Sequence, residues 1–348
     1  MPRSMQHCLT VDLHCHALNL EVEQIVASHP EKLAEAARTT QALGIASADH
    51  NRTVMAPQVF PKLTDIRQRI EDMDEMGVDV QVVSPAPNQY YYWADETLAR
   101  TLVSLQNRAI SDLSRRFPER ILGLGNVSLQ HPLLAVEQLK EAVIDLGLKG
   151  VEISSTINGV ELADARFDPF WQAAEELGCI VFLHPLGTSA HERLNRSYLT
   201  NVIGQPLETT IALSHLIFEG VLDRFPLLKI VAAHGGGYFP AYFSRAEHAF
   251  KVRPEAARMK HAPREYLKRI WFDTVVYEPE MLRHLISVVG LSQIVVGTDY
   301  PYDMGSYDVH GLIHSLQELS AGDRARILGG NAAALLNIER HQSSAAIF

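Results

Sequence analysis

The sequence predicts an α/β fold of the (β/α)8 barrel type, with an insertion after the first strand. Two observations carry this: eight short runs rich in β-branched residues are spaced along the chain, and the segments between them hold apolar residues at helical spacing. Strands alternating with helices are what a parallel sheet with helical crossovers requires, and eight strands suffice to close a barrel. A chain of 348 residues, 47% of them hydrophobic, can bury the core of one such domain. With no internal repeat or low-complexity linker, residues 1–348 read as a single domain.

The first run, LTVDLHCH (9–16), precedes a long, polar, weakly patterned stretch at 18–64, expected to be an insertion that helps cover the barrel mouth. The second run is VDVQVVSP (78–85), and after it Leu98, Leu102, Leu105, Ala109, Ile110 and Leu113 keep the spacing of a helix face. The third is ILGLGNVSL (121–129), followed by Val136, Leu139, Val143 and Leu146 at the same spacing; the fourth is GVEISS (150–155). Before the fifth, CIVFLHP (179–185), a helix is expected with Asp168 as its cap, Pro169 in its first turn and Gly178 at its exit. LKIVAAHGG (228–236), RIWFDTVV (269–276) and QIVVGTDYP (293–301) complete the set, and HQSSAAIF (341–348) reads as a loosely ordered tail.

The formal net charge is −10, with acids and bases interspersed, so the chain carries no footprint for nucleic acid or an anionic membrane. No apolar run approaches the roughly 18 residues of a membrane span, and Met1 to His7 lack the apolar core of a signal peptide. Cys8, Cys15 and Cys179 follow no zinc-ribbon or disulfide spacing, which fits a reducing cytoplasm. The expected partners are small molecules or copies of the chain itself.

Barrel active sites are built at the C-terminal ends of strands. There the first run carries Asp12, His14 and His16, the fifth His184, the sixth His234 and the eighth Asp299. Alternation along a strand turns His14 and His16 to one face, into the barrel, and Leu13 and Cys15 to the other, so Cys15 is not expected to be a ligand. Three imidazoles and a carboxylate suit one divalent ion, Zn²⁺ first, with Mn²⁺ tolerated. His234 is followed by Gly235, Gly236 and Gly237, a turn expected to let substrate approach the backbone. It reads as a general base toward water on the metal, the alternative being a ligand role.

The segments DLHCH (12–16), FLHP (182–185), AHGGGYFP (233–240), GTDYPY (297–302) and GGNAAAL (329–335), in this order, resemble the amidohydrolase-related decarboxylases of the aminocarboxymuconate-semialdehyde decarboxylase type. The likeness extends through 106–132 and 206–226. It implies a distorted TIM barrel with one Zn²⁺ on His14, His16, His184 and Asp299, and His234 beside the metal-bound water. Arg52 and Arg245 match family positions that grip substrate carboxylates, the latter from the neighbouring subunit of a homodimer across a helix read over Tyr238 to Phe250. The run YYYW (90–93), ending in Trp93, matches an aromatic segment near the family's substrate pocket. The fourth strand ends in Ser154, Ser155 and Thr156, with Lys149 at its start, where binuclear relatives carry a carboxylated lysine at the end; a single metal follows.

The implied activity is non-oxidative decarboxylation of a small unsaturated or aromatic carboxylic acid, with His234 and Asp299 managing protons. Loss of CO₂ leaves an electron pair that a conjugated system delocalises and a cation stabilises. The same scaffold would also serve a hydrolase or hydratase acting on a ring-cleavage product, amide or lactone, or a non-catalytic metal-binding protein.

Overall fold

The computed structural model describes residues 8–338, so the expectations for Met1 to His7 and for the tail 341–348 lie outside the described residues. Seven parallel strands carry the framework: β1 (Val11–Ala17), β2 (Val80–Pro85), β3 (Ile121–Gly123), β4 (Gly150–Ile153), β5 (Ile180–Leu183), β6 (Lys229–Ala232) and β7 (Ile270–Phe272). They pair in the order β1-β2-β3 and β4-β5-β6-β7. A bridge between Gly125 and Val151 joins the two sheets. The eighth run is not a continuous strand. It is an extended segment attached to β7 through Phe272–Ile294 and to β1 through Asp12–Val296 and Cys15–Tyr300, so the pairings return to their start. Asp299, at φ 60°, turns this segment out of the extended conformation just where its amide reaches the His14 carbonyl. The fold is thus a distorted (β/α)8 barrel, and among the described residues no helix is long and apolar enough to cross a membrane.

Two apolar layers follow from strand alternation. Val82, Phe182, Val231 and Val295 form one cluster, closed by Ala332 and Leu335; Val83, Val181, Ile230 and Phe272 join the other with helix residues such as Met73 and Ile110. Leu13 corrects the expected alternation. It packs with Phe182 and Val231, whereas Cys15 packs with the helices. The pairing of β1 with β2 shifts register between Asp12 and Cys15, and this bulge lets Leu13 and His14 both face inward.

The helix after β2, Glu96–Arg116, is capped by Asp95, whose side chain accepts from the Leu98 amide. Asp168 is not a cap: a short 3₁₀ turn, Ala165–Phe167, runs straight into the helix Asp168–Leu177, placing Asp168 inside its first turn, where it pairs with Arg224 at 2.8 Å. Gly178 ends that helix at φ 58° as expected.

The stretch 18–64 is helical almost throughout: Leu20–Val26, Pro30–Leu43, Ile45–His50 and Ala56–Thr64. The second and third of these bury no residue, which is why no apolar stripe marks them in the sequence. They are tied to loops that follow β2 and β5. His29 stacks on Trp93 with centroids 4.6 Å apart, and Thr200 Oγ1 donates to the Ala42 carbonyl at 2.7 Å.

Candidate metal centre

His14, His184, His234 and Asp299 come from four different strand ends, and each offers a ligand atom within 4.8 Å of the others. His16 joins them from β1, its Nε2 lying 3.4 Å from Asp299 Oδ1 and its ring 4.9 Å from that of His184. Asp299 Oδ1 is also 3.3 Å from His14 Nε2, and Oδ2 is 3.5 Å from His234 Nε2. His234 and Asp299 both sit in the left-handed region, at φ 55° and 60°, a strain that side chains bear where position matters.

The donor chemistry of this cluster fits a divalent cation. His14 Nε2, His16 Nε2, both nitrogens of His184, His234 Nδ1 and Asp299 Oδ1 are buried without a hydrogen-bond partner, a costly state unless another electrophile occupies the space between them. Burial, together with the neighbouring His16, His14 and His234, holds His184 well below the usual imidazole range, so it is neutral with a lone pair to give. Burial works to raise Asp299, but His14, His16 and His234 hold it well below the usual carboxylate range, so it is an anion. Burial likewise opposes charge on His14, yet Asp299 and Asp273 push its pKa up to about 10: the pocket draws positive charge.

Buried residues outside the expected set surround these groups. Asp273, just past β7, accepts from His14 Nδ1 at 2.6 Å, from the amides of His234 (2.9 Å) and Gly235 (2.8 Å), and from Val275 N at 3.1 Å. Because an ionised carboxylate only accepts, Asp273 holds a proton on His14 Nδ1, so a cation taking the place of the Nε2 proton would meet the Nε2 lone pair. Glu152, inside β4, is wholly buried and lies 3.5 Å from His16 Nδ1. Asp12 accepts from Thr298 Oγ1 at 2.7 Å and from Gln81 Nε2 at 3.1 Å, and burial pushes its carboxyl up to about 6. Arg69, buried against the Tyr300 ring, donates to the His16 carbonyl and to Gln81 Oε1. An acid inside an apolar run is the signal in the sequence for Glu152 and Asp273, and Asp273 also follows the end of its strand directly.

The three glycines after His234 are required by the chain's own packing. All have positive φ, and a Cβ on Gly235, Gly236 or Gly237 would lie 2.5 Å from Val276, 2.6 Å from Phe272 or 2.1 Å from the Pro206 carbonyl.

The other expected substrate residues are not brought to the cluster by this chain. Arg52 is 73% exposed and paired with Asp49 at 2.6 Å. Arg245 is exposed and makes no ion pair among the described residues, and Glu247 accepts instead from the Arg264 amide. The helix that carries Arg245 spans Phe243–Val252 only; Phe239 and Phe243 belong to the chain's own core, and the exposed aromatics Tyr238 and Tyr242 precede the helix. Trp93 is engaged with His29 and, edge-on, with Tyr91. In the aromatic run it is Tyr90 that reaches inward, donating to Glu152 Oε1 at 2.5 Å. Tyr302 adds a ring 5.6 Å from that of His16.

The family model described as amidohydrolase matches residues 11–338. The chain is 35% identical over 273 residues to a 2-amino-3-carboxymuconate-6-semialdehyde decarboxylase of Dictyostelium discoideum, covering 78% of this chain and 76% of that one. It is 25% identical over 301 residues to a gamma-resorcylate decarboxylase of Polaromonas sp., covering 82% and 91% of the two. In fold it is similar to a 5-carboxyvanillate decarboxylase of Novosphingobium aromaticivorans complexed with manganese and 4-hydroxy-3-methoxy-5-nitrobenzoic acid, with a TM-score of 0.85, 22% identity and coverage of 97% and 98%.

Proposed function

Because the chain belongs to the amidohydrolase family, we propose that it is a metal-dependent, non-oxidative decarboxylase of a small unsaturated or aromatic carboxylic acid. The observation that carries this reading is the convergence of His14, His184, His234 and Asp299, with His16 beside them, on one buried point. The relatives that match most of its length, decarboxylases of a muconate semialdehyde and of a resorcylate, support the choice of reaction.

His14, His16, His184 and Asp299 are the proposed ligands of one divalent ion. Zn²⁺ is the first expectation for so nitrogen-rich a set, and Mn²⁺, the ion in the Novosphingobium enzyme, is the alternative. When bound, the cation supplies electrostatic stabilisation to the substrate carboxylate and to the charge that develops as CO₂ leaves. His234 is assigned the proton. Its side chain is 15% exposed while those of His14 and His16 are at 0%, so it is the imidazole that a substrate meets first. Asp273 fixes its backbone through the 2.9 Å amide hydrogen bond. As the C–C bond to the carboxylate breaks, the electron pair stays on the ring or alkene carbon and His234 delivers the proton there; Asp299, held ionised, accepts hydrogen bonds and keeps the His234 ring in place.

In this reading Arg245 binds the substrate carboxylate of a partner protomer in a homodimer, and the exposed Tyr238 and Tyr242 lie at the shared face. Arg52 and Trp93 are assigned to the substrate side of the insertion. Free, buried Cys15 and Cys179 suit a cytoplasmic setting.

Metal-loaded protein assayed for CO₂ release with 2-amino-3-carboxymuconate-6-semialdehyde, gamma-resorcylate and 5-carboxyvanillate tests the reaction, and metal analysis tests the stoichiometry. Release from at least one acid, with one ion per chain, is expected. Hydrolysis of esters or lactones without CO₂ release from any acid would refute the assignment.

A further inference from the structure

One fully buried carboxylate has no part in the function described so far. Glu152 stands in β4 between Val151 and Ile153, all three at 0% exposure. A charge so placed is expensive unless its oxygens are matched by donors, and here both are. Oε2 accepts from Ser84 Oγ at 2.5 Å and Oε1 from the Tyr90 hydroxyl at 2.5 Å. Ser84 Oγ lies 3.2 Å from His16 Nδ1, and Glu152 Oε2 lies 3.5 Å from the same nitrogen.

A serine hydroxyl has one proton to give. Ser84 Oγ is also 3.2 Å from the Cys15 carbonyl, but the 2.5 Å contact with an anion is the stronger claim on that proton. With the proton donated to Glu152, the Ser84 oxygen is left to accept, and the neighbour able to donate is His16 Nδ1–H. The relay therefore runs from His16 Nδ1 through Ser84 to Glu152, and it leaves His16 Nε2 as the lone-pair nitrogen. Nε2 is the atom that faces Asp299 Oδ1 at 3.4 Å and has no hydrogen-bond partner. Asp273 does the same for His14 directly, at 2.6 Å. On its other side the Tyr90 hydroxyl lies 3.2 Å from the His184 carbonyl, so Glu152 links the ends of β1, β2, β4 and β5.

We propose that Glu152 is a positioning residue of the metal centre, holding His16 in its Nδ1–H tautomer through Ser84 so that Nε2 presents a lone pair to the ion. This rests on the reading of His16 as a ligand. Glu152 is not a ligand or a bridge to a second ion, because both its oxygens are already taken by hydroxyl donors.

The test compares Glu152→Gln and Ser84→Ala with the parent in two measurements that need no substrate. Chelator competition with Zn²⁺ and with Mn²⁺ reads affinity and stoichiometry; ¹⁵N histidine NMR of metal-stripped protein reads the tautomers. Glu152→Gln is expected to lower metal affinity by about 10- to 100-fold, the usual scale for losing an outer partner of a ligating histidine. The stoichiometry should stay at one ion, the His16 signals should move away from the Nδ1–H form, and those of His14 should stay in place. Should Glu152→Gln fail to fold, Ser84→Ala, which keeps the carboxylate, must shift the same His16 signals. Unchanged affinity with an unchanged His16 tautomer overturns the proposal, as does a second ion in the parent that Glu152→Gln abolishes. A parent that binds no divalent ion overturns the metal reading itself, and the tautomer measurement then still decides what Glu152 does to His16.

Discussion

Replacing Asp273 by asparagine removes one oxygen and one charge from a site with no slack. In the wild-type chain Oδ1 accepts from the amides of Gly235 and Val275, and Oδ2 from His14 Nδ1 and the His234 amide. Asparagine can keep a carbonyl toward the first pair, but its NH₂ then faces two donors. His14 can escape only by moving its proton to Nε2, the atom that points at Asp299; the His234 amide has no such choice and is left unsatisfied. A lost hydrogen bond to a charged acceptor and an orphaned buried amide each cost about 1–3 kcal/mol, so folding stability should fall by roughly 2–6 kcal/mol. Metal affinity should fall by about 10- to 100-fold because the His14 lone pair is turned away. Urea unfolding of the metal-stripped protein reads the first effect, chelator competition the second, and ¹⁵N NMR the His14 tautomer. An Asp273→Asn chain that binds metal within about threefold of wild type, with His14 still protonated on Nδ1, would refute the reasoning.

His234→Ala should keep one divalent ion per chain and lose about 10²-fold or more in decarboxylation rate, as expected for removal of a general acid; loss of the ion together with the activity would make His234 a ligand. Gly297→Ala puts a Cβ 2.7 Å from the Cβ atoms of both His14 and Asp273, and should destabilise the fold by about 1–3 kcal/mol while weakening metal binding, read by urea unfolding and chelator competition; a variant equal to wild type in both would show that the two side chains yield freely. Inactive His234→Ala chains mixed with inactive Arg245→Ala chains should regain activity if Arg245 serves the partner's site, because some heterodimers then hold one intact site; no recovery after demonstrated subunit exchange removes Arg245 from the shared site.

Much of the framework was legible because its signals are local. Alternation of apolar residues is fixed by strand geometry over a few residues, and the rule that barrel chemistry gathers at strand C-termini then singled out Asp12, His14, His16, His184, His234 and Asp299 without any knowledge of contacts. What depends on pairing between distant segments was not legible. The bulge that turns both Leu13 and His14 inward arises from the register of β1 against β2. The hydrogen-bond partners of the clustered histidines lie far away in sequence: Asp273 is 259 residues from His14, and the Ser84 that lies between His16 and Glu152 is 68 residues from each. An acid within an apolar run announces an unusual position, yet which donors it meets is settled only when the sheet closes around it. The same holds for Arg52 and Arg245, whose charge suits a carboxylate in any sequence but whose exposed places are set by the packing of the insertion and of the helix Phe243–Val252. Composition and periodicity specify which elements form and which faces are apolar; hydrogen-bond partners across the barrel are chosen by three-dimensional register, which no short window of sequence contains.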